Sequence, residues 1–166
     1  MNWRPAYVAL GSNLDDPVRQ VESAIAQLAG IPDTRLVLRS RLWKARPMGP
    51  QDQPDFVNAV AGLLTRLDAR ALLESLAGIE RRMGRVAPPV RWGPRVIDLD
   101  LLLVGDETRQ ETGLALPHPG LHQRNFVLYP LAEIAAELWV PGHGRVRSLR
   151  QQVAGEGLEA LSTGIR

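Results

Sequence analysis

The chain of 166 residues contains no cysteine, which rules out disulfides and thiolate-bound zinc and fits a reducing compartment. Lysine is almost absent as well: Lys44 is the single one among 20 basic residues, and the rest are arginine. So one-sided a usage takes weight off any individual arginine and leaves it on clusters. Aromatic residues amount to 5% of the chain, too few for a nucleic-acid surface built on exposed strand aromatics, and the net charge is only +2. No apolar run approaches the roughly 20 residues that span a bilayer. No N-terminal stretch combines a basic start, an apolar core and a small-residue cleavage site. A soluble, cytoplasmic, monomeric protein is therefore expected, with neither membrane nor nucleic acid as partner. The length suits one domain over residues 1–166, large enough to bury roughly 70% of the surface its unfolded chain exposes. A glycine-rich phosphate loop closing on Gly-Lys-Ser or Gly-Lys-Thr is missing, and so is a Gly-x-Gly-x-x-Gly turn. A bound nucleotide would need another device.

What is present concentrates in Arg91-Trp92-Gly93-Pro94-Arg95-Val96-Ile97-Asp98-Leu99-Asp100-Leu101-Leu102-Leu103-Val104. In an extended strand Asp98 and Asp100 share one face, roughly 6.5 to 7 Å apart, while Ile97, Leu99 and Leu101 share the other. Two like charges in so apolar a run call for a cation, and hard divalent ions such as magnesium take oxygen ligands. An edge strand whose acids simply face water is the alternative. Arg81, Arg82, Arg85, Arg91 and Arg95 cluster in one stretch, which suits an acidic small molecule. Arg85, Arg91, Arg95 and Arg124 are candidates for bidentate phosphate contacts. Taken one at a time, each also reads as a solvated surface arginine.

Trp92 sits in a Gly/Pro loop, as a cap over a ligand or as an anchor under the loop. Phe56 and Phe126 are stacking candidates for a flat heterocycle, with core packing as the default. Asn58 offers a donor and an acceptor to a ring lactam or to neighbouring backbone. Pro117 and Pro119 argue against a zinc pair made of His118 and His122, and His118 better suits donation to a phosphate. Ser12 has no base near it in sequence, so covalent catalysis is not expected.

Along the chain, residues 6–10 read as a buried strand ending in the turn Gly11-Ser12-Asn13. A helix follows with Asp16 as cap and Pro17 at its first position, its core face formed by Val18, Val21, Ile25 and Leu28, and Gly30 at its end. Residues 35–43 alternate as a strand, with Leu36, Leu38 and Ser40 on one face and Val37, Arg39 and Arg41 on the other. Residues 46–55 form a Pro/Gly loop, and residues 56–64 a strand with Asn58 on the face of Phe56. A second helix runs from a cap at Asp68 to about Met83, with Leu72, Leu76, Ile79 and Met83 inward and Gly84 closing it. The order strand, helix, strand, strand, helix, strand is that of an α+β, ferredoxin-like antiparallel sheet with helices packed on it in a single-domain sandwich. Helices near residues 128–137 and 148–153 complete the tail.

Five ordered blocks then resemble a known family. They are Val8-Ala9-Leu10-Gly11-Ser12-Asn13-Leu14; Pro47-x-Gly49-Pro50-Gln51-Asp52-Gln53-Pro54-Asp55-Phe56-Val57-Asn58; Gly84-Arg85; Arg91-Trp92-Gly93-Pro94-Arg95-x-Ile97-Asp98-Leu99-Asp100; and Pro117-His118-Pro119-x5-Arg124-x-Phe126-Val127-Leu128. Over residues 6–140 the chain resembles the 6-hydroxymethyl-7,8-dihydropterin pyrophosphokinases of folate biosynthesis. The resemblance implies transfer of the β,γ-pyrophosphoryl group of ATP to the hydroxymethyl oxygen of the pterin, with release of AMP. It implies two magnesium ions held by Asp98 and Asp100, with Arg85 and Arg95 completing the catalytic set. The pterin would stack between Phe56 and Phe126, with Asn58, Asp98 and the Ala45, Pro47 and Met48 loop along its polar edge and Trp92 closing over it. Glu80, Arg91, Arg95, Leu101, His118 and Arg124 would form the nucleotide side. No residue is assigned as a strong general base, which suits a chemistry of positioning and charge neutralisation.

Two departures stand out. Ala87 lies where the family often has another arginine, and Pro88-Pro89 should stiffen a loop the family uses as a mobile lid, so slower or less complete closure is expected, with activity retained. Ala45 and Arg46 stand where threonine and another small or apolar residue are common, so pterin contacts from that loop should differ. Read from residues alone, a basic ferredoxin-like nucleic-acid-binding module and a metal-dependent phosphohydrolase remain alternatives.

Overall fold

The computed structural model describes residues 2–84 and 93–161. Its central strand, β1 (Arg4–Ser12), outruns the apolar segment 6–10. Gly11 and Ser12, expected to turn, stay extended because Asn58 and Val57 pair with them on one side and Asp98 faces Gly11 on the other. Tertiary pairing here overrides the local turn preference of glycine and serine. In α1 (Pro17–Leu28) Asp16 accepts from Arg19 N at 3.5 Å, as expected of the cap. Val21, Ala24, Ile25 and Leu28 are buried, whereas Val18 is 41% exposed, so the apolar stripe starts one turn later than expected.

The single strand expected over 35–43 is two, β2 (Thr34–Arg39) and β3 (Trp43–Ala45). Ser40 breaks it: its N–H donates to Val60 O and its Oγ accepts from Val60 N, both at 2.9 Å. A register shift between Leu36 and Leu38 also cancels the simple alternation and leaves Val37 and Leu38 both exposed. β4 (Phe56–Thr65) pairs with β1 along one edge and with β2 and β3 along the other. α2 (Ala69–Arg82) is capped by Asp68, which accepts from Ala71 N at 2.8 Å, and the chain leaves it through Gly84 at φ +89°. β5 (Asp98–Val104) pairs with the free edge of β1. Every adjacent pair is antiparallel, and the order β2/β3, β4, β1, β5 is the ferredoxin-like arrangement.

The tail holds more than expected. β6 (Arg109–Glu111) and β7 (Leu114–Leu116) form a hairpin, followed by a cis Leu116–Pro117 bond and a single 3-10 turn, Leu121–Gln123. α3 (Asn125–Ala135) begins ahead of residue 128. β8 (Trp139–Val140) and β9 (Gly144–Arg145) make a second hairpin that leads into α4 (Val146–Gln151). β10 (Leu158–Ala160) then adds to the outer edge of β3. Pairings of two or three residues carry no periodic signal, which is why they escape a reading of the sequence.

The core lies on both faces of the sheet. Leu28, Leu72, Leu76 and Ile79 of α1 and α2 pack with Val8, Leu10 and Leu63 on one side. Val127, Leu128 and Leu131 of α3 and Leu149 of α4 pack with Ala9, Val60 and Leu102 on the other. The ends of the strands beside α3 are left to form the floor of a cleft. Among the described residues, no helix is long and apolar enough to cross a membrane.

Candidate active site

Strand register assembles the floor. One row across the sheet runs Trp43, Asn58, Gly11, Asp98, and the next places Val60, Ala9 and Asp100 side by side. Direct cross-strand partners project to the same face, so Asn58 and the two aspartates look into one space. On that face the central strand presents the small residues Ala9 and Gly11, and Leu10 between them also borders the cleft. A Cβ on Gly11 would stand 2.8 Å from Asn58 Nδ2, so the glycine makes room for the amide. Asn58 Nδ2 reaches Leu10 O at 3.5 Å, whereas its Oδ1 is buried without a hydrogen-bond partner among the described residues. A buried amide oxygen left in this state invites a donor from outside the chain.

The cleft brings together most of the residues expected at the site: Phe56, Asn58, Arg95, Asp98, Asp100, Arg124 and Phe126, with Ala45 and Met48 at one end. Leu101 and His118 line an adjoining depression that shares Asp100. Pro47 is not part of either lining. Its carbonyl instead accepts from Gln51 Nε2 at 2.9 Å and holds the turn that carries Met48. Glu80 stands behind the site on α2, its Oε2 accepting at 2.7 Å from Leu99 N between the two aspartates. Arg85, Arg91 and Trp92, with Ala87 and Pro88-Pro89, lie outside the described residues.

Charge is balanced tightly here. Arg95 Nη1 sits 3.2 Å from Asp98 Oδ2. Burial pushes the Asp100 carboxyl from 3.8 up to about 7, with Asp98 and Glu80 adding repulsion that Arg124 and Arg95 only partly offset. Such a carboxyl gains from a cation. Among the described residues no three His, Cys, Asp or Glu side chains form a complete metal cage. Two carboxylates fit magnesium nonetheless, because that ion keeps several waters and takes substrate phosphates as further ligands. His118 Nδ1 accepts from Gly120 N at 3.1 Å, so the proton of the neutral ring lies on Nε2. Burial and Arg124 lower the His118 pKa, so the ring is an uncharged donor near neutrality. Gly120 lies flat beneath the Arg124 guanidinium, where a Cβ would overlap it.

Several participants had been passed over. Asn13, expected only in a turn, is 1% exposed and clasps three segments. Its Nδ2 donates to Gln53 Oε1 and to Pro54 O, each at 2.9 Å, while its Oδ1 accepts from Arg95 N at 2.8 Å and its N–H donates to Arg95 O at 3.0 Å. Arg95 is thus fixed at the backbone by Asn13. Ala9, Gly11 and Val127 also line the cleft, together with Arg46 of the loop from which pterin contacts were expected. The small-residue alternation Ala9-x-Gly11 was the available signal for the floor, whereas the contacts of Asn13 are long-range and leave none.

A carboxylate pair on a sheet, opposing arginines and two aromatic walls define the class of phosphoryl- and pyrophosphoryl-transferring clefts. Comparison narrows it. The profile of the family described as 7,8-dihydro-6-hydroxymethylpterin-pyrophosphokinase (HPPK) matches residues 7–136. The 2-amino-4-hydroxy-6-hydroxymethyldihydropteridine pyrophosphokinase of Haemophilus influenzae is 46% identical over 149 residues, which span 90% of this chain and 92% of that protein. Its Pseudomonas aeruginosa counterpart is 45% identical over 155 residues, 93% and 95% of the respective chains. A solved HPPK-DHPS of Plasmodium falciparum superposes with a TM-score of 0.74 at 12% identity, covering 96% of this chain and 47% of that one, a likeness of fold. The chain belongs to the HPPK family of pyrophosphokinases.

Proposed function

We propose that the cleft transfers the pyrophosphoryl group of ATP to 6-hydroxymethyl-7,8-dihydropterin, giving the pterin diphosphate and AMP in folate biosynthesis. Family membership supports this reaction over a nucleic-acid-binding module or a phosphohydrolase. The observation that carries the assignment of the site is the meeting, in one cleft also lined by Phe56 and Phe126, of the Asp98 and Asp100 pair with an Asn58 Oδ1 unsatisfied among the described residues. Phe56 and Phe126 receive the flat pterin, and Asn58 Oδ1 accepts from its N–H edge. Arg95 and Arg124 grip phosphate oxygens, His118 donates from Nε2, and Leu101 and Glu80 shape the nucleotide side. By the family motif, Arg85 and Arg91 would add phosphate contacts and Trp92 would cover the substrates.

Asp98 and Asp100 would hold magnesium, two ions on this reading. Bound there, the metal supplies neutralisation of the polyphosphate charge that builds up as the bond to the α-phosphate breaks. The chain's own contribution is to bring the pterin hydroxymethyl oxygen and the β-phosphorus together and to exclude water from them. No side chain is assigned to take the hydroxyl proton. The whole of residues 1–166 acts as one monomeric, cytoplasmic pyrophosphokinase domain with no nucleic-acid partner. Incubation with ATP, magnesium and the pterin, with AMP and pterin diphosphate followed, tests the reading. AMP formed only with pterin, and lost in Asp98→Ala, supports it; AMP without pterin, or an active Asp98→Ala, contradicts it.

A further inference from the structure

The C-terminal segment reaches both walls of the cleft. On one side β10 sets Leu158 against Ala45, and Arg46 N donates to Gly157 O at 3.1 Å. On the other, Asn125 Nδ2 donates to Ala154 O at 2.9 Å and Glu156 O at 3.1 Å, and the Tyr129 hydroxyl donates to Val153 O at 2.8 Å. Between these attachments the chain turns tightly, with Leu158 N donating to Gly155 O at 3.1 Å. Two glycines permit the turn. A Cβ on Gly155 would stand 3.0 Å from the Tyr129 ring, and Gly157, at φ +77°, would place one 2.6 Å from Arg46 Nε.

What the segment joins matters for the ligand. Ala45, Arg46 and Met48 line the cleft from the β3 side, and Arg124, Phe126 and Val127 from the α3 side. Asn125 is the first residue of α3 and stands between Arg124 and Phe126, yet its amide hydrogens go to residues 154 and 156. A stacked ring is sensitive to small displacements, because a radial gap of about 0.5–1 Å already forfeits a quarter to a half of each dispersion contact.

We propose that residues 154–157 form a strap that sets the gap between the 45–48 loop and the first turn of α3, with Asn125 a positioning residue for the pterin acting through Phe126. The inference rests on the proposed stacking of the pterin against Phe126. Asn125→Asp keeps the shape, removes both donors and turns a carboxylate towards two carbonyl oxygens. The pterin KM should rise about five- to tenfold, with the ATP KM and kcat within about twofold of wild type. Asn125→Gln, which keeps the donors, should recover part of the loss. Gly157→Ala pushes on the other end of the same strap, so it should also raise the pterin KM, and less than additively when combined with Asn125→Asp. If Asn125→Asp does not fold, Gly157→Ala alone decides. A lowered melting temperature with unchanged pterin KM in the folded variants would overturn the strap. An unchanged pterin KM in Phe126→Ala would instead overturn the stacking on which it rests.

Discussion

Replacing Asp100 by asparagine should make the metal-free protein more stable while removing its activity. Burial, reinforced by Asp98 and Glu80, pushes the Asp100 carboxyl from 3.8 up to about 7. A carboxyl whose folded pKa lies above its unfolded one binds more protons in the folded state, so stability falls as the pH rises between those two values. The penalty is on the order of 4 kcal/mol above pH 7 and shrinks to under about 1 kcal/mol near pH 4. Asparagine has almost the same shape and no charge, so it escapes the penalty throughout. Thermal denaturation of both proteins with a chelator present, at about pH 4 and about pH 8, measures the gap; for a chain of this size 4 kcal/mol corresponds to roughly 10 °C. Magnesium should narrow the gap by binding the folded wild type. A variant no more stable than wild type at pH 8, or a gap independent of pH, would refute the reasoning.

Three further outcomes are expected. Asn58→Ala should raise the pterin Kd about tenfold, read by calorimetric titration, with little loss of melting temperature, because its Oδ1 has no partner among the described residues. Asn13→Ala removes the clasp on Arg95 and residues 53–54; it should cost about 2–3 kcal/mol in urea unfolding and lower kcat/KM as Arg95 drifts. Nitrogen NMR of His118 should show the Nε2–H tautomer and a titration midpoint below 6.5, since burial and Arg124 disfavour its cation. A midpoint above 6.5 would point to a charged histidine at the nucleotide side.

The βαββαβ frame was legible because both long helices carry clear caps and apolar stripes and β5 is a continuous apolar run around its aspartates. The break at Ser40 was not, since it depends on Val60 of another strand. Extension of β1 through Gly11 was hidden for the same reason, yet it is what puts Gly11 between Asn58 and Asp98. At the site, Phe56, Asn58, Arg95, Asp98, Asp100, Arg124 and Phe126, all singled out from the sequence, line one cleft. The motif could not reveal that Pro47 turns its carbonyl to Gln51, or that Asn13 holds Arg95, because such partnerships depend on three-dimensional neighbours and not on spacing.

The most direct measurement follows the two terminal phosphates of ATP separately. With ATP labelled at the β position in one reaction and at the γ position in another, the pterin product should carry both labels in equal amounts and the released AMP neither. Label appearing in ADP or in free phosphate in step with turnover would contradict pyrophosphoryl transfer by this cleft.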